Sequence, residues 1–382
     1  MAGLACAAPF LPSSDDQVLE RLPWRAGDAT AAALARLRAA ADAEPGSAQA
    51  AAALAERYFD LSLELGDPRY VGYADAALRR FKGQPTAEWL TLRGVVRQYR
   101  HDFPGALQDF ERALTLDPTH ASAHAWRGAV YLVQTETERA LRDCDALQRL
   151  DRPALAGACA GLALAYSGQL ASAQRSLEKA LAAAGSDDQR SWLLTRLAEV
   201  AAWQDRPQVA EQRYRQALAL GVESVYLRTA WADFLLDTGR PQDVLQALEG
   251  RESADSLLLR LTEAAAALKR PQAQRWQRML QDRYAAARAR GDTTHLGEEA
   301  RFELHVRGDP ATALRLAQDN YTTQREPRDA RILLESAAAA GKPAAAQAAI
   351  DWLQRSGFED RRLRGLAGLP PSAPTAASPP TR

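Results

Sequence analysis

The chain has 382 residues, room for two or three domains and an ample core. Its 48 basic and 48 acidic side chains cancel, so charge gives no reason to expect nucleic acid or an acidic membrane as the main partner. No apolar run approaches the roughly 20 residues of a membrane helix. Alanine, leucine, arginine, glutamine and glutamate recur throughout while β-branched residues are sparse, which predicts helix along the whole length.

In chain order, residues 1–12 come first. Met1 to Ala8 followed by Pro9 resembles the tail of a secretory signal, with a small-x-small cleavage site but without the charged start and most of the apolar stretch. Two readings stand. One is a signal that begins upstream, which places the protein in the periplasm or envelope. The other is a short disordered end on a cytoplasmic protein. Cys6 would be a lipid-attachment site only in a poor lipobox, since Gly3, Leu4 and Ala5 precede it. Residues 13–81 read as N-terminal helices with a degenerate repeat: a lone helix near 28–43, then a pair near 47–81.

From there the chain is punctuated regularly. Gly66 to Pro68, Asp205 to Pro207, Gly239 to Pro241, Lys269 to Pro271, Gly308 to Pro310 and Gly341 to Pro343 each lie between two stretches of apolar periodicity. Each has a residue that ends one helix, then proline at the first turn of the next, where its missing N–H costs nothing. Equivalent turns without proline fall at Phe103, Thr137 and Leu170. The last residues of these turns are separated by 35, 34, 33, 37, 34, 30, 39 and 33 positions. A period so near 34 means stacked helix pairs. Residues 366–382, rich in proline, alanine and serine, bury nothing and read as a disordered tail.

Over Ala87 to Pro118 the pattern is specific. Gly94, Ala106 and Ala113 are small where two helices approach closely, Phe110 stands where an aromatic wedges between neighbours, and Pro118 stops the second helix. The segment resembles a tetratricopeptide repeat. The next unit keeps Gly128, Tyr131 and Ala140; the third keeps Gly161, Gly168, Ala173 and Ala180; the fourth keeps Ala198, Ala210, Tyr214 and Ala217. Residues 87–220 thus hold the clear repeats. Residues 221–365 hold degenerate ones, with Val244 in place of the alanine and a unit at 255–290 whose second helix is long. The resemblance implies an all-α, right-handed solenoid of about eight or nine stacked antiparallel helix pairs, bacterial by its alanine- and arginine-rich composition.

Such a family holds peptides or helices of other proteins along a concave groove lined by the first helices of its pairs. Carried onto this chain, the groove positions are Tyr99, Trp126, Tyr166, Trp192, Trp203 and Tyr226. With few charges nearby they would form an apolar, stacking groove; the alternative is that some pack between repeats. The Lys and Asn clamp of the chaperone-binding members is missing, because Thr91, Val95, Ala125, Ala129 and Ala158 stand in its place. Cys144 and Cys159 lie eight and seven residues from Arg152, where the chain reverses, and should be level on facing helices. If their Cα atoms lie within about 7 Å a disulfide can form, and that bond would favour an oxidising compartment. Free thiols in the core are the alternative.

The catalytic inventory is thin. His120 and His124 have i, i+4 spacing but lack the His-Glu-x-x-His order, and read as polar residues at a helix start. There is no Gly-rich phosphate loop, Gly-x-Ser-x-Gly elbow or Cys-x-x-Cys. The stretch 269–290 carries Arg275, Arg278 and Arg283, with Trp276, Leu280 and Tyr284 beside them. That makes a nucleic-acid site an alternative to a solvated helix face. The expectation is a non-enzymatic scaffold that binds a protein partner without metal or cofactor. A nucleic-acid-associated protein, and an enzyme with a site between repeats, are the rivals.

Overall fold

The computed structural model describes residues 28–371, with Ser14 and Gln17. The signal-like residues 1–12 with Cys6, and the tail beyond residue 371, lie outside the described residues. Helix α1 (Ala29–Ala43) leads nine antiparallel pairs. These are α2 (Ala48–Leu65) with α3 (Arg69–Arg80), α4 (Ala87–Tyr99) with α5 (Phe103–Leu116), and α6 (Ala121–Val133) with α7 (Thr137–Arg149). Next come α8 (Pro153–Tyr166) with α9 (Leu170–Ala182), α10 (Asp187–Trp203) with α11 (Pro207–Ala219), and α12 (Val225–Asp237) with α13 (Pro241–Ala247). The last are α14 (Asp255–Ala267) with α15 (Gln272–Ala289), α16 (Leu296–Phe302) with α17 (Pro310–Tyr321), and α18 (Pro327–Ala339) with α19 (Gln347–Ser356); α20 (Arg361–Leu366) closes the order. No strand occurs among the described residues. The pairs stack in sequence, each on the next.

The turn inside every pair has the same form. Its left-handed residue is Gly66, His101, Thr135, Gly168, Asp205, Gly239, Lys269, Gly308 or Gly341, always two positions before the second helix begins its periodicity. In seven of the nine the following N–H reaches back to the carbonyl five residues earlier, as in Asp102 to Arg97, Glu136 to Tyr131 and Gln169 to Leu164, and in the α16–α17 turn Asp309 reaches Glu303, six residues back. This Schellman closure satisfies the helix's last carbonyls and reverses the chain. Four second helices start on proline, at 207, 241, 310 and 343, and α5 follows a capping aspartate, Asp102, which accepts from the Gly105 N–H at 3.0 Å.

Packing explains the repeat signature. Gly94 of α4 leaves room for the Phe110 ring of α5, which a Cβ there would meet at 2.5 Å. Beside this wedge a buried ion pair recurs one repeat later. Asp109 accepts from Arg93 and Arg97, and Asp143 accepts from Arg127 while His124 Nδ1 lies 2.6 Å away. In both cases the carboxylate is 1% exposed and the arginines come from the partner helix, so a buried charge is paired and hydrogen-bonded. His124 is thereby committed to a structural pair and His120 is the N-cap of α6. Cys144 of α7 and Cys159 of α8 are joined by a disulfide with Cα atoms 5.4 Å apart.

Two local features depart from the regular expectation. Helix α16 runs on from Phe302 as a π-helical turn, Glu303–Arg307, in the unit reached by the longest interval between turns. The second helix of the last pair opens as a 3-10 turn, Pro343–Ala346.

Candidate interaction groove

The first helices of successive pairs line the inner side of the stack, and the C-terminal ends of α4 to α12 converge. What they converge on is the chain's own last quarter. The Arg325 N–H donates to the Val133 carbonyl at the end of α6, at 3.1 Å. The Gln324 amide donates to the His101 ring at the end of α4. Tyr166, the last residue of α8, donates its hydroxyl to Glu326 at 3.2 Å. The Leu170 N–H donates to Glu359 at 2.8 Å, and Arg361 pairs with Asp205 at 2.8 Å. Asp237, ending α12, accepts from Arg331 at 2.7 Å and also pairs with Arg362. Trp203, ending α10, meets the Phe358 ring edge-on at 5.3 Å, and Phe358 is fully buried. One apolar cluster therefore joins Tyr131, Tyr166 and Leu197 to Leu333, Trp352 and Leu363.

Of the six groove aromatics, four are brought together and two are not. Tyr166 and Trp203 touch each other, rings 6.3 Å apart, and lie beneath the C-terminal segment. Trp192 and Tyr226 flank the Arg196 guanidinium, which lies 5.2 and 4.6 Å from their ring centres. Tyr99 instead packs edge-on against Phe59 of α2, and Trp126 packs beside the N-terminal cluster. The expectation of an apolar, charge-poor groove is corrected here. Tyr226 bonds to Glu199, Arg196 pairs with Glu199 at 3.0 Å, and Glu326 pairs with Arg328 at 2.6 Å. Buried tyrosine hydroxyls need polar partners, and these charges supply them.

The electrostatics follow from the enclosure. Burial pushes the Asp329 carboxyl up to about 6, with Glu326 adding to it against the pull of Arg328. Burial and the nearby Arg328 and His295 charges press the His101 imidazole down to about 4. Burial would raise Glu335, but the bonds from His305 and Arg331 outweigh it and hold that carboxyl at about 2. Further along the inner face, Asp233 accepts from Arg260 at 2.8 and 2.9 Å and lies 2.7 Å from Arg301, which holds it below the usual carboxylate range in spite of burial.

The basic stretch divides between solvent and structure. Arg275 and Arg278 of α15 are exposed. Arg283 donates to Asp255 at 2.6 Å and to the Ser253 and Glu252 carbonyls, which ties α15 to the start of α14. Leu280 and Tyr284 are buried against Phe302, so they are core residues and not stacking platforms for bases. Among the described residues, no three His, Cys, Asp or Glu side chains gather as metal ligands, and no helix is long and apolar enough to cross a membrane.

Sequence reasoning missed the closing residues: Gln324, Arg325 and Glu326 in one loop, Phe358, Glu359, Arg361 and Arg362 after α19. The one available signal was that Phe358, an aromatic in a polar run, follows a glycine where α19 ends.

No protein-family model and no curated protein matches the sequence. Among solved structures the chain is similar to pilF of Pseudomonas aeruginosa, at 19% identity over 52% of this chain and 92% of that one, with a TM-score of 0.41. It is also similar to a tetratricopeptide repeat protein of Parabacteroides merdae, at 14% identity over 74% and 96% of the two chains, TM-score 0.39. A third likeness is to the APC/C hetero-tetramer Cut9-Hcn1, at 16% identity over 80% of this chain and 52% of that one, TM-score 0.43. The chain's own antiparallel pairs, Schellman turns and wedge positions define its class: it is an α-solenoid of tetratricopeptide-like repeats.

Proposed function

We propose that the protein is a non-catalytic scaffold that holds a segment of another protein along the inner face of its solenoid. The observation that carries this reading is the convergence of five first-helix ends, α4 to α12, on two neighbouring segments of the chain's own last quarter. Those segments are held by main-chain donors, carboxylates and an aromatic slot. Such a surface offers what a peptide needs: directed hydrogen bonds and a hydrophobic anchor site. Co-purification from the source cells tests it. The protein carrying Trp192→Ala and Tyr226→Ala should lose the bound partner while its melting midpoint changes little. Recovery of the same partner at the same yield from the variant would reject the groove.

The compartment we propose is oxidising, periplasmic or envelope-associated. Its support is the Cys144–Cys159 pairing together with the signal-like residues 1–8, since such bonds persist where thiols are not kept reduced. Alkylation of unreduced, denatured protein from its native source should find neither cysteine reactive. Two reactive thiols besides Cys6 would overturn the assignment.

A further inference from the structure

The groove is already filled, and the manner of its filling says what else fits. We infer that the segment around α20 is an internal latch, and that the partner of this groove carries the latch's own chemistry: an aromatic residue followed directly by a carboxylate, with two arginines on the next turn. The inference rests on the reading of the inner face as a peptide-binding groove.

Three properties separate the latch from the repeats on which it sits. Its polar contacts lie at the solvent-exposed rim: Arg361 and Asp205 are 67% and 64% exposed, Arg362 and Asp237 49% and 32%. Contacts inside the stack are of another kind, with Asp109 and Asp143 sealed at 1%. Exposed pairs contribute little and are screened by salt, so the latch's hold on the groove rests on the buried Phe358 and Leu363 and on the Glu359 bond. Its helix is only six residues long, below what sustains itself without tertiary support. The segment also arrives after Gly357, a left-handed residue at the C-terminus of α19, a ready pivot between the last pair and the latch.

On the groove side, every contact reads a distinct feature of the occupant. The Leu170 N–H, at the unsatisfied first turn of α9, reads the Glu359 carboxylate at 2.8 Å. Trp203 forms one wall of the Phe358 slot and Trp352 of α19 the other, ring centres 5.3 and 5.2 Å away. Asp205 and Asp237, at the ends of α10 and α12, read Arg361 and Arg362. The order along the occupant is therefore aromatic, acid, one residue, then two arginines. A partner segment with that order makes the same contacts, and binds by displacing the latch.

The test alters the latch and leaves the groove intact. Full-length protein with Phe358→Ala, Arg361→Ala and Arg362→Ala is compared with wild type by residue-resolved hydrogen exchange. The Leu170 amide, bonded only across the closure, should exchange at least about tenfold faster in the variant, while amides inside α4, α6 and α8 keep their protection. A synthetic peptide of residues 357–366 should then bind the variant and restore protection at Leu170. A peptide with Phe358→Ala and Glu359→Gln should do neither. If the triple variant is unstable, Glu359→Gln with Arg361→Ala is the milder opening that keeps Phe358. An unchanged Leu170 amide in both variants means the segment is permanent core, and refutes the latch. An exposed amide that the wild-type peptide fails to protect refutes the recognition chemistry. A latch that opens and rebinds its peptide while the protein has no partner in its own cells leaves the latch itself standing, and defeats the scaffold reading together with the partner chemistry inferred from it.

Discussion

Gly168 gives the sharpest test of the closure, because two separable costs meet there. It is the left-handed residue of the α8–α9 turn, with φ +70°, and a Cβ added to it would fall on the Gly357 backbone, 2.6 Å from the carbonyl carbon and 2.9 Å from the Ser356 carbonyl oxygen. Gly239 occupies the equivalent turn of the α12–α13 pair with φ +73° and nothing within 4 Å of its missing Cβ. Alanine at either position carries the left-handed penalty of about 1–2 kcal/mol, partly offset by about 0.4–1 kcal/mol of lost unfolded-chain entropy. Gly239→Ala should therefore cost about 0.5–1 kcal/mol. Gly168→Ala carries the same cost plus the clash, and because the obstacle is backbone it cannot be relieved by a side-chain rotation. Overpacking of that kind costs about 1–3 kcal/mol. The excess of Gly168→Ala over Gly239→Ala in urea unfolding, followed by circular dichroism, reads the closure directly. Part of the strain should escape by local opening, visible as faster exchange at the Leu170 and Arg325 amides in Gly168→Ala only. If the two variants unfold alike to within about 0.5 kcal/mol and neither loses protection at those amides, Gly168 does not touch Gly357 and the closed stack is wrong.

Thr135 is a β-branched residue at φ +64°, so Thr135→Gly should raise stability by about 0.5–1 kcal/mol, measured as a higher urea midpoint with unchanged slope. Ala106→Leu should destabilise by about 1–3 kcal/mol in the same assay, because that fully buried alanine sits where α4 and α5 pack without spare volume. His101 binds its proton less readily in the folded state, at about 4 against 6.5, so its contribution is intact above pH 6.5 and lost as pH falls towards 4. Asp329 works in the opposite sense, losing stability as pH rises from 3.8 to about 6. The measurable quantity is therefore the difference between wild type and His101→Gln, which should grow in favour of the variant on acidification from pH 6.5 to 4 and would be flat if His101 were solvated.

The repeats are legible because their determinants are local. A left-handed residue, a proline two positions on or a capping aspartate one position on, and a wedge facing a glycine all lie within one 34-residue unit, so Gly94 with Phe110 can be read from spacing alone. Spacing cannot tell which groove aromatics face the lumen. Tyr99 and Tyr166 both end first helices, yet one packs on Phe59 of the preceding pair and the other on Glu326. The difference is set by which distant segment lies against each helix end, which no window of the sequence contains. The charged lining was illegible for the same reason. Arg196 and Glu199 read as an ordinary helix-surface pair, and only the stack turns that surface inward.

Why rim contacts this weak suffice to close the molecule follows from the order in which its entropy is lost. Leu170 and Glu359 are 189 residues apart. Bringing the ends of a flexible loop of that length together would cost roughly 5 kcal/mol, more than a few exposed ion pairs return. In a solenoid, each pair is fixed by its neighbours and the path between the two residues is already rigid. The loop entropy is spent on folding the repeats, and closure needs only to fix the last few residues after Gly357. A contact of very high sequence separation can thus be held by one buried aromatic and a few rim interactions, and can be released by a competitor without unfolding anything between. The same logic restricts where substitutions act. Those in the repeats between Leu170 and Glu359 that alter the pitch should shift the rim residues relative to Arg361 and Arg362 and loosen the latch from a distance. Substitutions in the loops of the outer, second-helix face should leave it unaffected.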